Sequence, residues 1–219
     1  MKKLIIFDCD GTLVDSEIIA SEVFPAIWSE MGLTMSADFF LSNFVGTGSD
    51  AEIVKTTMAK LPQNAMEIAD QKFDEELKKR LQPVRGMKEL LTDLVHEACV
   101  ASNSSLGYVN DALASTGLLS FFNDRVFSSR QLARPKPAPD VFLHAAKTLG
   151  YSPKDCIVIE DSRSGILAAK NANMKVIGFM GGLHFNQALK EKLYEANADF
   201  YYSEISDLRR HLLQAELAL

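Results

Sequence analysis

Short apolar runs and longer amphipathic stretches alternate along most of the chain. The runs are rich in β-branched residues and end at polar or glycine residues, which is typical of buried strands. They predict strands at residues 4–7, 98–101, 126–127, 156–159, 175–179 and 200–202. Between them, apolar residues recur at helical spacing, for example over residues 106–115 and 163–173. Strands that alternate with helices in this way predict an α/β fold with a doubly wound parallel sheet.

The stretch from Ser16 to Gln82 interrupts this pattern directly after the first strand. It holds no strand candidate, and it is too long to be a loop. Its spacing and capping residues predict helices at residues 16–31, 37–44, 64–81, and from Ser49 or Asp50 to about 61. Pro25 lies inside the first helix and is expected to kink it or to break it near Phe24. We therefore predict a helical domain at residues 16–82, inserted into a core domain of residues 1–15 and 83–219.

The composition narrows the class of protein only a little. Of the 219 residues, 47% are hydrophobic and 24% are charged, and the net charge is −6. The chain has no basic run, so we do not expect nucleic acid as a partner. It has no apolar stretch of transmembrane length, and the run that follows Met1 is too short for a signal peptide. Cys9, Cys99 and Cys156 are far apart in the chain, and each lies in or beside an apolar run, so we expect buried free thiols. These features predict a cytoplasmic protein. We also expect a monomer without a membrane partner.

Polar clusters follow the predicted strands. Asp8 and Asp10 come directly after the first strand, and Gly11 allows the chain to turn away. The other clusters are Ser102 with Asn103, Lys136 within a proline-rich loop, and Glu160 with Asp161. Because the carboxyl ends of parallel strands meet at one edge of a sheet, we expect all of these side chains to converge.

The residue types of this set suit the binding of a phosphate group beside a metal ion. Asp8 and Asp161 are the oxygen ligands that Mg²⁺ prefers, and without a cation clustered carboxylates raise one another's pKa. Ser102 and Asn103 offer a hydroxyl, an amide and backbone N–H groups to phosphate oxygens. A lysine fixed between prolines, as Lys136 is, would offset the carboxylates. Each cluster also has a structural explanation, such as acids and serine at a helix N-terminus at 160–162.

Other motifs give weaker evidence about function. Gly46-Thr47-Gly48 lacks the third glycine of a dinucleotide-binding loop and follows a predicted helix, so no dinucleotide site is expected. The histidines have no ligand spacing, and we expect ordinary surface or satisfied residues at positions 96, 144, 184 and 211.

The stretch Asp8-Cys9-Asp10-Gly11-Thr12, followed in order by Ser102, Lys136 and Glu160-Asp161, resembles the four motifs of the haloacid dehalogenase superfamily. The DxDGT form resembles its phosphatase branch. The insertion at 16–82 looks like the helical class I cap of that family, and the stretch at 136–140 places the chain near the β-phosphoglucomutase and phosphoglycolate phosphatase group. The resemblance implies a Rossmann-like core that carries a helical cap.

The resemblance also implies roles for these residues. Asp8 would attack phosphorus to form an aspartyl-phosphate, and Asp10 would act as general acid and then as general base. Ser102, Asn103 and Lys136 would hold the transferring phosphate. Mg²⁺ would be held by Asp8, the backbone carbonyl of Asp10 and Asp161, with Glu160 close by. The cap loop at Gly46 and Thr47 would reach over the site and help to select the substrate.

The cap residues help to distinguish a phosphatase, which hydrolyses the phosphate ester, from a mutase, which moves the phosphate to another position of the sugar. In the mutase, a histidine on the first cap helix and an arginine in the glycine loop handle the sugar phosphate. Ala20 and Thr47-Gly48-Ser49 stand at these places here, which favours hydrolysis of a small sugar phosphate or sugar-acid phosphate. Lys55 and Lys72 are candidate cap cations. The alternatives are a phosphosugar mutase, and from other classes a phospho-accepting receiver or a binding module without catalysis.

Overall fold

The computed structural model of the protein describes residues 2–47 and 51–213. Within them the strands are β1 (Leu4–Phe7), β2 (Glu97–Ser102), β3 (Val126–Ser128), β4 (Cys156–Glu160), β5 (Lys175–Phe179) and β6 (Phe200–Tyr202). They form one sheet in the order β3-β2-β1-β4-β5-β6, and every pairing is parallel. The predicted doubly wound parallel sheet is confirmed.

One or more helices connect each strand to the next in the described part of the chain. Their bounds are α1 (Ser16–Glu30), α2 (Ala37–Phe44), α3 (Glu52–Met58), α4 (Ala65–Arg80), α5 (Met87–Asp93), α6 (Leu106–Ser115), α7 (Leu119–Phe122), α8 (Asp140–Thr148), α9 (Arg163–Asn171), α10 (Gln187–Glu195) and α11 (Ile205–Leu213). The short helix α7 was not predicted. The residues predicted to cap α3, Ser49 and Asp50, lie outside the described residues. None of these helices combines the length and the apolar composition that crossing a membrane requires.

The sheet buries both of its faces. In β1, Ile5 and Phe7 pack on one side against residues of α5, α6 and α11, and Leu4 and Ile6 pack on the other side against α8 and α9. All four side chains of this strand are fully buried. This is why the strand reads as a continuous apolar run rather than an alternating one. The predicted burial of the three cysteines is also observed.

Helices α1 to α4 all come between β1 and α5, and they have an apolar cluster of their own. Phe24, Trp28 and Phe40 form its centre, and Ala65 and Ala69 of α4 close it. Trp28 is only 1% exposed. Helix α1 runs without interruption through Pro25, so the chain does not break near Phe24, and the alternative, a kink at Pro25, stays a prediction. Pro25 is itself buried, and the packing of Phe24 and Trp28 on either side of it outweighs the one backbone hydrogen bond that proline cannot donate.

The two connections between the sheet and these helices run side by side. The backbone N–H of Asp15 donates to Gln82 O at 3.0 Å, and that of Val84 donates to Leu13 O at 2.9 Å. These contacts lie where the sequence predicts hinges. The domain limits at residues 16 and 82 stay a prediction.

Replacement of Trp28 by alanine should lower the free energy of unfolding by about 3–5 kcal/mol, because it leaves a large cavity in the aromatic cluster. Urea denaturation followed by circular dichroism measures this. Phe39 on α2 is 43% exposed, so Phe39→Ala serves as the control and should change stability by no more than about 0.5 kcal/mol. Equal losses in the two variants would contradict a separate buried cluster.

Candidate active site

The candidate site lies at the point of the sheet where the order of the strands reverses. β1 and β4 are adjacent at the centre, β2 and β3 extend to one side of them, and β5 and β6 extend to the other. A crevice opens at the carboxyl ends of the strands at such a switch point, and ligands bind there in open α/β sheets. Asp8 follows β1 directly, and its backbone N–H donates to Ile159 O of β4 at 2.9 Å. The first predicted cluster therefore lies at this crevice.

Three carboxylates meet at the ends of these two strands. Asp8, Glu160 and Asp161 each offer one oxygen atom, and these oxygens lie within 4.8 Å of one another. All three residues are buried. The convergence that the sequence predicts for these three residues is present in the structure.

The side chain of Lys136 reaches into the same cluster. Its Nζ donates to Asp8 Oδ1 at 2.6 Å, to Glu160 Oε1 at 2.7 Å and to Ala101 O at 2.8 Å. An ammonium group has three hydrogens, so these acceptors use all of them. The side chain is only 3% exposed, which excludes a solvated surface lysine.

Asn103 holds the backbone of Lys136 in place. Its Oδ1 accepts from the N–H of Lys136 at 2.9 Å, and its Nδ2 donates to Lys136 O at 3.4 Å. Ser129 Oγ also donates to Asn103 Oδ1, at 2.9 Å. The side chain of Asn103 is thus engaged with protein groups, and its predicted contact with substrate stays untested. Ser102 is 2% exposed, and its Oγ accepts from the N–H of Ser104 at 3.0 Å.

The first turn of α9 fixes Glu160. Ser162 caps this helix, because its Oγ accepts from the N–H of Gly165 at 3.1 Å. Glu160 Oε2 in turn accepts from Ser162 N at 2.9 Å and from Ser162 Oγ at 2.8 Å. A Cβ atom at Gly165 would lie 1.7 Å from Glu160 Oε1, so only glycine leaves room for this carboxylate. Residues 160–162 therefore form the start of α9 and also contribute to the charged cluster, so the structural and the functional explanations of this stretch are compatible.

The cluster carries more negative charge than Lys136 can balance. Burial, followed by the Glu160 carboxylate, raises the pKa of Asp8 well above its ordinary value, and Lys136 opposes this shift. Burial alone would lower the pKa of Lys136, but the carboxylates of Asp8 and Glu160 raise it above the ordinary value. When all three carboxylates are ionised, the one ammonium group leaves a formal charge of −2. A hard divalent cation fits both this charge and this set of oxygen donors.

Asp10 makes contacts that differ from those of Asp8. Its Oδ1 accepts from Ser16 Oγ at 2.7 Å and from Tyr108 Oη at 2.7 Å, and its Oδ2 accepts from Ser104 Oγ at 2.8 Å. The two aspartates of the motif therefore have different partners. The hydroxyl groups of Ser16, Ser104 and Tyr108 were not predicted, although Ser104 lies only two residues after Ser102.

His184 also belongs to this region. It is 2% exposed, and its Nε2 lies 3.2 Å from Asp161 Oδ2. The expectation of an ordinary surface or satisfied histidine is wrong for this residue. No spacing in the sequence links it to the motifs, because it lies in the loop after β5 and meets Asp161 only through the fold.

The loop after α2 lies over the carboxylates. Gly46 and Thr47 line a cavity of about 240 Å³ together with the predicted site residues Asp8, Asp10, Ser102, Asn103, Lys136, Glu160 and Asp161. The predicted cap loop is therefore brought to the site as far as residue 47, and Gly48 and Ser49 lie outside the described residues. Lys72, one of the two candidate cap cations, forms an exposed ion pair with Glu75 at 3.0 Å.

Comparisons with known proteins agree with this geometry. The chain matches the family of haloacid dehalogenase-like hydrolases over residues 5–179. A 6-phosphogluconate phosphatase of Escherichia coli strain K12 is 31% identical over 188 residues, which cover 82% of this chain and 83% of that relative. Hexitol phosphatase B of the same strain is 30% identical over 181 residues, or 78% of this chain and 81% of the relative. The solved structure of a haloacid dehalogenase-like protein from Agrobacterium tumefaciens strain C58 has a TM-score of 0.87 at 34% identity, covering 96% of this chain and 97% of that chain.

The chain belongs to the haloacid dehalogenase-like hydrolase family. This confirms the resemblance that the motifs indicate, and it makes the protein a phosphatase of the haloacid dehalogenase type. The relatives differ in the compound that their names give, a sugar acid in one case and a sugar alcohol in the other.

Replacement of Lys136 by methionine should lower the free energy of unfolding by about 3–5 kcal/mol, because two buried carboxylates lose their partner. The measurement is urea denaturation at neutral pH in the presence of EDTA. Lys175 forms an exposed pair with Asp199, so Lys175→Met is the matched control and should cost less than about 1 kcal/mol. If the two variants lose equal stability, the buried ion cluster does not have the charges assigned to it.

Proposed function

We propose that the protein is a Mg²⁺-dependent phosphomonoesterase that acts on a small sugar phosphate through an aspartyl-phosphate at Asp8. The observation that carries the proposal is the contact of Lys136 with Asp8 and Glu160, beside Asp161, at the switch point of the sheet. A buried lysine and three carboxylates around one cleft suit the transfer of a phosphoryl group, which depends mainly on positioning and charge stabilisation.

The carboxylates of Asp8 and Asp161 would hold the metal ion, together with the backbone carbonyl of Asp10. When bound, Mg²⁺ supplies positive charge to the phosphate oxygens and cancels the two uncompensated negative charges of the cluster. Glu160 is close by, but Lys136 and Ser162 already occupy its oxygens. We therefore assign it to the support of Lys136 rather than to direct ligation.

Asp8 would be the nucleophile. It lines the cleft, and Lys136 binds its Oδ1, so Oδ2 is the oxygen that we expect to attack phosphorus. As the bond from Asp8 to phosphorus forms, the bond from phosphorus to the leaving alcohol breaks. In the second step a water oxygen attacks phosphorus, and Asp8 is released as the free carboxylate.

Asp10 would move the protons in both steps. It gives its proton to the oxygen of the leaving alcohol, and it takes a proton from the attacking water, which returns it to its first state. Its oxygens are held by the hydroxyl groups of Ser16, Ser104 and Tyr108. A hydroxyl group is both donor and acceptor, so this cradle can hold Asp10 in either protonation state.

A space of about 810 Å³ next to Asp10 would receive the leaving group. Its lining combines apolar and polar side chains, among them Phe24, Phe40, Phe73, Tyr108 and Arg130. Ala20 also lines it, and a methyl group cannot transfer a proton. The mutase of this family carries a histidine at this place on the first cap helix, so Ala20 supports hydrolysis over the phosphosugar mutase alternative.

Glu17 supports a neutral sugar over a sugar acid as the leaving group. It lines both the cleft and the larger space, and it forms part of α1. Burial, followed by the carboxylates of Asp10, Asp161 and Asp8, raises the pKa of Glu17 well above its ordinary value. Further negative charge is therefore unfavourable at this position, whereas sugar hydroxyls can donate hydrogen bonds to a carboxylate.

Asp8→Asn should lower kcat by roughly 10⁴-fold or more on every ester that the protein hydrolyses, since it removes the nucleophile. Phosphate release is measured with Mg²⁺ on glucose 6-phosphate, glucitol 6-phosphate and 6-phosphogluconate. EDTA should abolish activity, and added Mg²⁺ should restore it. The exposed Asp124 provides the matched control, and Asp124→Asn should retain full activity.

Three results would overturn this proposal. Full activity of Asp8→Asn would remove the nucleophile assignment. Faster isomerisation of β-glucose 1-phosphate than hydrolysis of any ester would replace the phosphatase with the mutase. A phosphoprotein that forms but does not turn over would favour a receiver.

At a pH above its raised pKa, where Glu17 is ionised, Glu17→Gln should raise kcat/KM for 6-phosphogluconate relative to glucitol 6-phosphate by roughly tenfold, because it removes one like charge next to the leaving group. Glu30 lies on the same helix and is exposed, so Glu30→Gln should leave the ratio unchanged. An unchanged ratio in Glu17→Gln would show that this residue does not select the charge of the leaving group.

A further inference from the structure

We infer that His184 is a positioning residue for the proposed metal site and that it acts by holding the carboxylate of Asp161. The inference rests on the proposed function, because it assumes that Asp161 is a metal ligand. His184 is absent from the set of residues that the motifs predict, and it does not line the cavity that contains Asp8 and Lys136. Its effect would therefore pass through Asp161 and not through contact with substrate.

Both oxygens of Asp161 have a partner in the protein. His184 Nε2 lies 3.2 Å from Oδ2, and Thr12 Oγ1 donates to Oδ1 at 3.2 Å. The side chains of His184 and Asp161 are only 1% and 4% exposed. Contacts at both oxygens fix the plane of the carboxylate and leave one lone pair on each oxygen for other partners.

The backbone around this contact is built to permit it. Gly11 has a φ of +72°, and a Cβ atom there would lie 1.9 Å from Asp161 Oδ2 and 2.8 Å from His184 Cε1. The loop that carries the histidine is tied to the hinge, because the N–H of Leu183 donates to Asp15 Oδ1 at 2.9 Å. The Phe185 ring lies against the imidazole, with ring centroids 4.4 Å apart. The imidazole is therefore held in one place by several elements of the fold.

The position of the imidazole points to Asp161 as its functional partner, because Nε2 lies 3.2 Å from Asp161 Oδ2. Nδ1 is buried and has no hydrogen-bond partner among the described residues. Nε2 is the ring nitrogen that faces Asp161, so it is the one that would carry the proton in a neutral ring. A carboxylate that binds a metal is typically oriented by such a neighbour, and loss of the neighbour weakens metal affinity about 10- to 100-fold.

The test measures metal binding directly. Isothermal titration calorimetry of the metal-stripped protein with Mg²⁺ compares the wild type with His184→Leu and His184→Gln. The leucine variant should bind Mg²⁺ about 10- to 100-fold more weakly. The glutamine variant places an N–H donor near the position of Nε2, and it should recover most of the affinity. His144 is exposed on α8, so His144→Leu is the matched control and should bind as the wild type does.

A positioning role also predicts which kinetic constants change and which do not. At saturating Mg²⁺, His184→Leu should keep kcat within a few-fold of the wild type, whereas the Mg²⁺ concentration needed for half activity should rise in parallel with the dissociation constant. If His184→Leu does not fold, His184→Asn is compared with His184→Gln, since its shorter amide cannot reach Asp161. The asparagine variant should then bind Mg²⁺ more weakly than the glutamine variant.

Asp161→Asn separates failure of this inference from failure of the proposed metal site. If Asp161→Asn loses Mg²⁺ binding but the leucine or asparagine variant of His184 binds as tightly as the wild type, the positioning role is wrong. If Asp161→Asn itself binds Mg²⁺ as tightly as the wild type, the proposed metal site is wrong, and the inference falls with it.

Discussion

The ion cluster in which Lys136 joins Asp8 and Glu160 is the interaction on which the candidate site depends. Its partners come from three separate stretches of the chain, and its distances of 2.6 and 2.7 Å leave no room for intervening water. Buried charges are costly unless they are paired and hydrogen-bonded, so the surrounding structure has to hold all three groups in place. Asn103 does this for the backbone of Lys136, and the first turn of α9 does it for Glu160.

The parallel sheet supplies the geometry that the cluster needs. β1 and β4 end side by side, so Asp8 and Asp161 meet although they are far apart in the chain. The helices α1 to α4 leave the sheet directly after the first motif and return to it beside their starting point. This connection sets Glu17 and Thr47 at the same cleft as the carboxylates. The order of the strands therefore places both the charged residues of the site and the residues that enclose it.

The sequence allowed the strands and the convergence of the motif residues to be predicted, because both follow from local patterns. Apolar runs mark buried strands, and parallel strands bring their carboxyl ends to one edge. The contacts of Tyr108 with Asp10 and of His184 with Asp161 were not predictable in this way, because each joins segments that only the fold brings together. Pro25 failed as a helix breaker for a related reason, since tertiary packing outweighed a local preference.

The central claim is that Asp8 forms a covalent bond to phosphorus. Mass spectrometry of the protein, quenched in acid during turnover of a sugar phosphate with Mg²⁺, tests it directly. The account predicts one added phosphoryl group on the peptide that contains Asp8, and none on that peptide in Asp8→Asn. Steady release of phosphate with no phosphorylated peptide, or with the phosphoryl group on another residue, would contradict the account.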